Sequence, residues 1–400
     1  LIGWVALKKN RTAAGRERAT NRVGPLALFL GAGASKPFGF PVTDEILPEV
    51  LSRLRRGDLF PRGEGRGPRE ADESARDLGE LLERLLPGLF AERVVAPLIT
   101  DVFSLLDQII GTGGALGEGA DAADLVRLRS LLEHAVAEVL SEPRGVRGRA
   151  GAALQERLAS WIHRTCAGGR FVSVISTNYD FGLERSLLSR IPARALPGAV
   201  DFGLTWRPAE GVGARGRRQA WPRPARPRMA VLKLHGALNW LRCPLCEHVV
   251  IHPSQPIFRE GQGPLADSWL TCSCGFAPLR HVLVAPSMVR DVRDPNLLSL
   301  WQSALEALRA AEEWVIVGYS LPPQDVEIRA MLLRAYRARP QPPRVRVVQA
   351  GRSRETEHRY RVMFPDMTFD EGGVEGFVRR LPGTRASART SRAARAARRS

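Results

Sequence analysis

Cysteine and aromatic side chains are scarce in this chain, and a long hydrophobic run is missing; each shortage closes off a class of protein. Five cysteines in 400 residues cannot staple a disulfide scaffold. Four of them fall in two tight pairs, which suits metal ligation in a reducing compartment. No apolar run approaches the roughly 18 residues of a membrane helix. LFLGAGAS at 28–35 is too short and too rich in glycine, and LIGWVALKKN at 1–10 lacks a secretory pattern, so a soluble cytoplasmic protein without membrane contact is expected. Acidic residues are also short, leaving a net charge of +17. The excess is local: 384–400 carries six Arg and no acid, and 207–228 carries seven Arg against one Glu. Taking +6 away for each segment leaves +5, an ordinary balance for a soluble enzyme. Both segments are poor in core-forming residues, and neither is read as carrying the aromatic platform or recognition element of a folded nucleic-acid site. They are expected to be disordered, with nucleic acid met only weakly through the basic tail.

What the chain does have is enough apolar material, 44% of its residues, for one large or two ordinary domains. PLALFLGAGASKPFG (25–39) reads as a buried strand entering a glycine-rich turn, with a helix beyond. A polar, Gly/Pro-rich stretch (55–74) follows, and helical periodicity then fills 75–166. Strand-like runs return as FVSVISTNYD (171–180), MAVLKLHGALNW (229–240), HVLVAPS (281–287), EWVIVGYS (313–320) and RVRVVQA (344–350). Their short, Val/Ile-rich apolar character predicts parallel strands covered on both faces. The expected fold is therefore α/β: a Rossmann-like, mostly parallel sheet with a helical insertion. Its ligand crevice would lie beyond the carboxyl ends of the strands.

The conspicuous polar motifs sit at those ends. GAGAS, Gly31 to Ser35, places small residues where backbone approaches closely, either as a tight structural turn or as a nucleotide site whose helix offers N–H groups to phosphate. It is neither a spaced G-x-G-x-x-G nor a Walker loop. In STNYD, Thr177, Asn178 and Asp180 form either a turn or a polar cluster for a ribose or a water. His235 in LHG is the residue type best suited to act as a base near neutrality, though a lone histidine after a strand is often structural. Gly318, Tyr319 and Ser320 end another apolar strand, and Asp325 beyond them is expected to cap a helix. Cys243, Cys246, Cys272 and Cys274 supply four thiolates within one short module, the ligand set of structural Zn²⁺. Four buried free thiols are the alternative, and His248, His252 or His281 could replace one ligand. Cys166 reads as an ordinary buried cysteine.

Taken in order, GAGAS, STNYD, KLHG, the cysteine pairs and WVIVGYSLPPQD resemble the SIR2-like, or sirtuin-fold, family over about 25–350. The resemblance implies a SIR2-like NAD-binding domain over 22–380, with a helical insertion at 75–166 and a small four-cysteine zinc module at 241–280. A leader (1–21) and a basic tail (384–400) flank it. By position, it implies that Gly31, Ala32, Gly33, Ala34 and Ser35 line the NAD phosphates. Asn178 and Asp180, beside Thr177, would then meet the nicotinamide ribose, His235 would be the base, and Gly318, Tyr319 and Ser320 would face the adenosine side. Protein-deacetylating members follow the glycine motif with a G-I-P-D-F-R-type stretch. Here FGFPVTDEIL keeps Gly39 and Pro41 but lacks the Phe–Arg pair, with Asp44 arriving late. The FGE-type peptide segment is also absent, VLVAPSMV standing at 282–289. The chain thus most resembles prokaryotic SIR2-like, NAD-consuming antiphage proteins. An NAD⁺ glycohydrolase releasing nicotinamide and ADP-ribose is the leading expectation. Deacetylation, ADP-ribosyl transfer and a non-catalytic NAD or ADP-ribose sensor are the alternatives. A homo-oligomer and a phage-derived or operon-encoded activator are partners the resemblance allows.

Overall fold

Runs that are apolar at nearly every position form the centre of the molecule. The computed structural model describes residues 24–60, 68–117, 120–141, 145–208, 220–243, 245–252, 272, 274, 279–283 and 295–382. The leader (1–21) and the tail (384–400) lie outside these residues. The first half runs β1 (Leu26–Leu30), α1 (Ala32–Ser35), α2 (Thr43–Arg56), α3 (Pro68–Leu85), α4 (Ile99–Gly111), α5 (Ala122–Leu140), α6 (Gly145–Ala167) and β2 (Val172–Ser176). Next come α7 (Gly182–Leu188), α8 (Leu196–Ala199), β3 (Val200–Asp201), β4 (Trp206–Pro208), β5 (Met229–Lys233), β6 (Gly236–Arg242), β7 (Val249–Ile251) and β8 (Arg280–Leu283). The chain ends with α9 (Pro295–Ala310), β9 (Glu313–Val317), α10 (Val326–Arg337), β10 (Arg344–Val348), α11 (Arg354–Met363), β11 (Thr368–Asp370) and α12 (Gly373–Arg380).

Seven strands make one parallel sheet in the order β11-β10-β9-β1-β2-β5-β3. β1, β2 and β5 are buried along their whole length, as a sheet covered on both faces requires. The chain proceeds from β1 to one side through β2, β3 and β5, then returns with β9 on the other edge of β1. The direction of winding therefore reverses between β1 and β9. Register aligns Leu30 with Ser176 and Val317, Ser176 with Lys233, and Val317 with Val348. Five strands thus stop level, and GAGAS, TNYD, LHG, GYS and Gln349 emerge side by side.

No strand interrupts the described residues between α2 and α6. A second apolar core draws on α2 to α5, including Leu47, Leu82, Phe103 and Leu132, and it also takes in Tyr179, Phe181 and Leu238 from the sheet side. Leu158, Ala159 and Ile162 of α6 belong instead to the core of the sheet. Asp121 opens α5 by accepting from the N–H groups of Ala123 and Asp124, while Asp124 accepts from Asp121 N–H, a reciprocal cap.

Two expectations for the strands need correction. MAVLKLHGALNW is not one strand: β5 ends at Lys233, and Gly236, at φ +74°, reverses the chain into β6 of a separate four-stranded sheet, β4-β7-β6-β8. The described part of HVLVAPS, within β8, pairs antiparallel with β6 in that small sheet and adds nothing to the parallel one. The reason lies in the cysteines. Cys243 directly follows β6, Cys272 and Cys274 shortly precede β8, and pairing Arg242 with Arg280 brings both groups to one end.

The arginine-rich stretch 207–228 is also not uniformly structureless. Trp221 exchanges two backbone hydrogen bonds with Trp206 and packs edge-on against its ring at 4.7 Å between centroids. Arg223 makes a bidentate pair with Asp201 at 3.1 and 2.8 Å. Residues 209–219 lie outside the described residues.

The level strand ends leave very little room. A Cβ at Gly318, whose φ is +64°, would lie 2.0 Å from Ala34 N. Gly318→Ala is expected to destabilise the fold by about 1–3 kcal/mol, from left-handed strain and backbone overlap together; urea unfolding of the two proteins measures it.

Candidate functional site

Beyond β2 the chain bends at Tyr179, and alternate residues face opposite ways. Tyr179 and Phe181 enter the helical core, while Asn178 and Asp180 face the end of β1. Asn178 Nδ2 donates to the Gly31 carbonyl at 2.8 Å and to Ser35 Oγ at 2.8 Å. A carbonyl oxygen only accepts, so the amide orientation is set and Oδ1 points the other way. That Oδ1 is sealed from solvent and accepts no hydrogen bond. Ser35 Oγ in turn donates to Asp180 Oδ2 at 2.6 Å, and Gly182 N–H donates to Asp180 Oδ1 at 3.2 Å. Asn178, Ser35 and Asp180 are thereby one connected group.

The backbone N–H groups of the glycine turn are already engaged. Gly31 donates to the Val317 carbonyl, Gly33 to the Gly318 carbonyl and Ala34 to the Gly31 carbonyl, at 3.0, 2.8 and 2.8 Å. A Cβ at Gly31 would lie 2.5 Å from Tyr319 Cα, so these glycines let the ends of β1 and β9 touch. Ala32 is half-buried at the start of α1. Thr177 N–H donates to the Leu30 carbonyl at 3.1 Å, which locks the two strand ends together.

His235 follows β5 by two residues and is buried. Its Nδ1 lies 3.0 Å from the Thr177 carbonyl, so Nδ1 carries the proton and Nε2 is the basic nitrogen of the neutral ring. Trp301 of α9 donates its indole N–H to the Leu234 carbonyl at 3.1 Å, holding the turn that presents His235. Asn178, Asp180 and His235 therefore belong to neighbouring strand ends. A surface groove of about 470 Å³ runs nearby, lined by Lys36, Gly39, Phe40, Pro41, Asp44 and Glu45 among others; Asn178, Asp180 and His235 do not line it.

Gly318, Tyr319 and Ser320 form the other side of the winding reversal. Tyr319 is buried and Ser320 exposed. The Tyr319 carbonyl accepts from Gln349 Nε2 at 2.6 Å and from Tyr360 Oη at 2.7 Å. Burial drives the Tyr360 hydroxyl well above its usual range, which keeps it a donor. Asp325 departs from its expected role as a cap: its side chain makes no capping bond, and Tyr319 Oη donates to its Oδ2 at 2.8 Å. Tyrosine, six residues upstream, has taken the carboxylate.

Sequence reasoning overlooked the ion pair behind these motifs. Lys233 is 2% exposed at the end of a wholly buried strand. Its Nζ donates to Glu184 Oε1 at 2.7 Å and to the Asp180 carbonyl at 2.5 Å. A lysine closing the apolar run MAVLK was the available signal, because a charge so placed needs a partner. Burial raises the Glu184 carboxyl above its ordinary value, with the Asp180 charge adding to the effect and Lys233 opposing it.

The four cysteines converge at the end of the small sheet, with all four sulfurs within 4.8 Å of one another. Cys243 and Cys274 sulfurs are 3.5 Å apart, and those of Cys246 and Cys272 are 3.6 Å apart. A tetrahedral zinc thiolate shell has sulfurs about 3.8 Å apart, so the set can hold such an ion. Burial works against ionisation of Cys243, yet the N–H groups of Cys246 and Leu245, with the neighbouring thiols, bring it down to about 7. Cys274 is pushed up to about 12 by the hydrogen bonds it shares, first with Cys272, then with Cys243 and Cys246. His248 turns its Nδ1 toward the Cys246 carbonyl at 3.2 Å, and His252 N–H donates to the Asn239 carbonyl. Among the described residues the converging ligand set is the four cysteines. The His281 side chain lies outside them. Cys166 stands apart, half-buried against the sheet core, and burial raises its thiol to about 11.

Removing one member of the buried ion pair leaves the other uncompensated. Lys233→Met is expected to cost about 3–5 kcal/mol, and Lys233→Met with Glu184→Leu to recover most of it. Thermal and urea denaturation of the single and double variants test this coupling.

No protein-family model matches the sequence, and no curated protein matches it. Similarity is found to a solved sirtuin structure concerned with substrate affinity, at 14% identity over 90% of this chain and 93% of that chain, with a TM-score of 0.35. A mutant Sir2 homologue in complex with ADP-ribose matches at 12% identity over 89% of each chain, with a TM-score of 0.35. A Sir2 protein bound to a propionylated peptide matches at 14% over 90% and 93%, also with a TM-score of 0.35. Likeness at this level carries no argument, and the reading below stands on the motifs and their geometry.

Proposed function

We propose that this protein is a SIR2-like NAD⁺ glycohydrolase that splits nicotinamide from ADP-ribose with water. The Asn178 side chain carries the reading. Its amide nitrogen is held by Gly31 and Ser35, while its buried Oδ1 accepts nothing from the protein. A satisfied turn asparagine would not leave that acceptor orphaned, since buried polar atoms are almost always paired. At a strand end beside the winding reversal, the orphan suits a water or a ribose hydroxyl.

In this reading the bond from the ribose carbon to the nicotinamide nitrogen breaks, and its electron pair leaves on nicotinamide. The water oxygen bonds to that carbon, and its proton passes to His235 Nε2. Asp180, held by Ser35 and Gly182, contributes a fixed negative charge where positive charge develops on the sugar. Gly31 to Ser35 and Gly318 to Ser320, which touch each other, would together form one floor against which the dinucleotide would lie. Zn²⁺ on Cys243, Cys246, Cys272 and Cys274 would be structural, because four thiolates leave no open position for water.

Hydrolysis is favoured over acyl transfer by the missing Phe–Arg pair and the missing FGE-type segment. By analogy with prokaryotic SIR2-like defence proteins, its biological role would be consumption of cellular NAD⁺ in answer to phage infection. Self-assembly or a partner gene product would hold it inactive until a phage-derived or operon-encoded activator arrives.

The expected result is nicotinamide release from NAD⁺ without any acyl substrate. Asn178→Ala and His235→Ala should each lower turnover by about a hundredfold or more and leave metal content intact. Cys246→Ser should remove the bound metal instead. Chromatography of the products and metal analysis read both outcomes. NAD⁺ consumed only when an acyl peptide or another acceptor is added would reassign the chain to group transfer, and binding without products would make it a sensor.

A further inference from the structure

Gln155 has no evident task in the fold. It lies on α6, is 4% exposed, and its Nε2 is sealed from solvent with no hydrogen-bond partner. A buried amide donor left in this way weakens a fold unless an acceptor arrives from elsewhere. Its surroundings say where from. A Cβ at Gly182 would lie 2.3 Å from Gln155 Nε2 and 3.0 Å from Phe40 Cε2, so the glycine at the start of α7 keeps space clear for the amide. Gly182 N–H donates to Asp180 Oδ1, Asp180 Oδ2 accepts from Ser35, and Ser35 Oγ accepts from Asn178. One continuous set of contacts therefore has a buried donor without an acceptor at one end, Gln155 Nε2. At the other end is a buried acceptor without a donor, Asn178 Oδ1.

The two orphans are complementary and do not meet. A ligand carrying oxygen acceptors and O–H or N–H donors has the chemistry to satisfy each. Building on the NAD⁺ reading above, we propose that Gln155 contacts the ligand of this site, donating from Nε2 to a carboxamide or ribose hydroxyl oxygen of the group bound against Asn178 and Asp180. The motifs that suggest NAD⁺ all come from strand ends. Gln155 instead comes from α6, a helix packed on the sheet, so it would add a contact from outside the strand ends.

Gln155→Met keeps the length of the side chain and removes the donor; Gln155→Glu replaces the donor with an acceptor. Calorimetry with ADP-ribose, which has the ribose hydroxyls but no carboxamide, and with nicotinamide, which has only the carboxamide, separates the two sources of oxygen. We expect Gln155→Met to weaken one of these ligands by about five- to tenfold, and Gln155→Glu to weaken the same one at least as much. The melting temperature of Gln155→Met should stay level or rise, because an unpaired buried donor has gone. A residue serving only the fold would show the reverse: a lowered melting temperature with both affinities unchanged, and that result overturns the proposal. Unchanged affinities with an unchanged melting temperature also overturn it, assigning the amide to a resident water. If the unsubstituted protein binds neither ligand nor NAD⁺, the NAD⁺ reading fails and takes this one with it. Binding by the unsubstituted protein that Asn178→Ala weakens and Gln155→Met does not removes Gln155 alone.

Discussion

Leu30, Ser176, Lys233, Val317 and Val348 lie in one row across the sheet. Parallel strands buried on both faces hold mainly apolar side chains along their length, so polar chemistry is displaced to their ends. A level row of ends then gathers residues far apart in sequence without any long side chain having to reach. Thr177 pairs with the Leu30 carbonyl, Gly31 with Val317 and Gly318 with Val348, so backbone hydrogen bonds continue the row by one more residue. Asn178 and His235 are placed beyond that row.

A charge at the end of such a strand must be dealt with, and Lys233 shows how. Its ammonium group is shared between Glu184 and the backbone carbonyl of Asp180. The lysine consequently holds the segment that presents Asp180. Pairs of this sort add little net stability compared with apolar substitutes. What Lys233 supplies is a fixed position for a backbone carbonyl next to a carboxylate.

Much of the sheet was legible because its signal is local. LALFL, VSVIS, MAVLK and EWVIV are apolar at nearly every position, and the polar residues after them mark where each strand stops. The helical stretch before β2 was legible for a similar reason, its apolar spacing being periodic. Two things were not. HVLV in isolation has the composition of any buried strand, and only the closure of the cysteine cluster directs it to β6. The bonding of Asp325 was equally hidden, since helix capping is a local preference and Tyr319 reaches the carboxylate through a turn. In the candidate site, Asn178, Asp180 and His235 announced themselves as polar residues after apolar runs. Glu184 and Gln155 sit within helices, where polar residues are ordinary, and only burial distinguishes them. The glycine turn suggested a phosphate cradle; in the structure its N–H groups mainly knit β1 to β9.

The alternation at 178–181 has a mechanical consequence. Tyr179 and Phe181 are set among the helices, while Asn178 and Asp180 are bonded at the sheet. Residues joined by a peptide bond cannot move independently by more than a fraction of their spacing. Any sliding of the helical layer across the sheet therefore bears on the amide and carboxylate beside it. A partner that grips the helices from outside would have a lever on those two groups without coming near them.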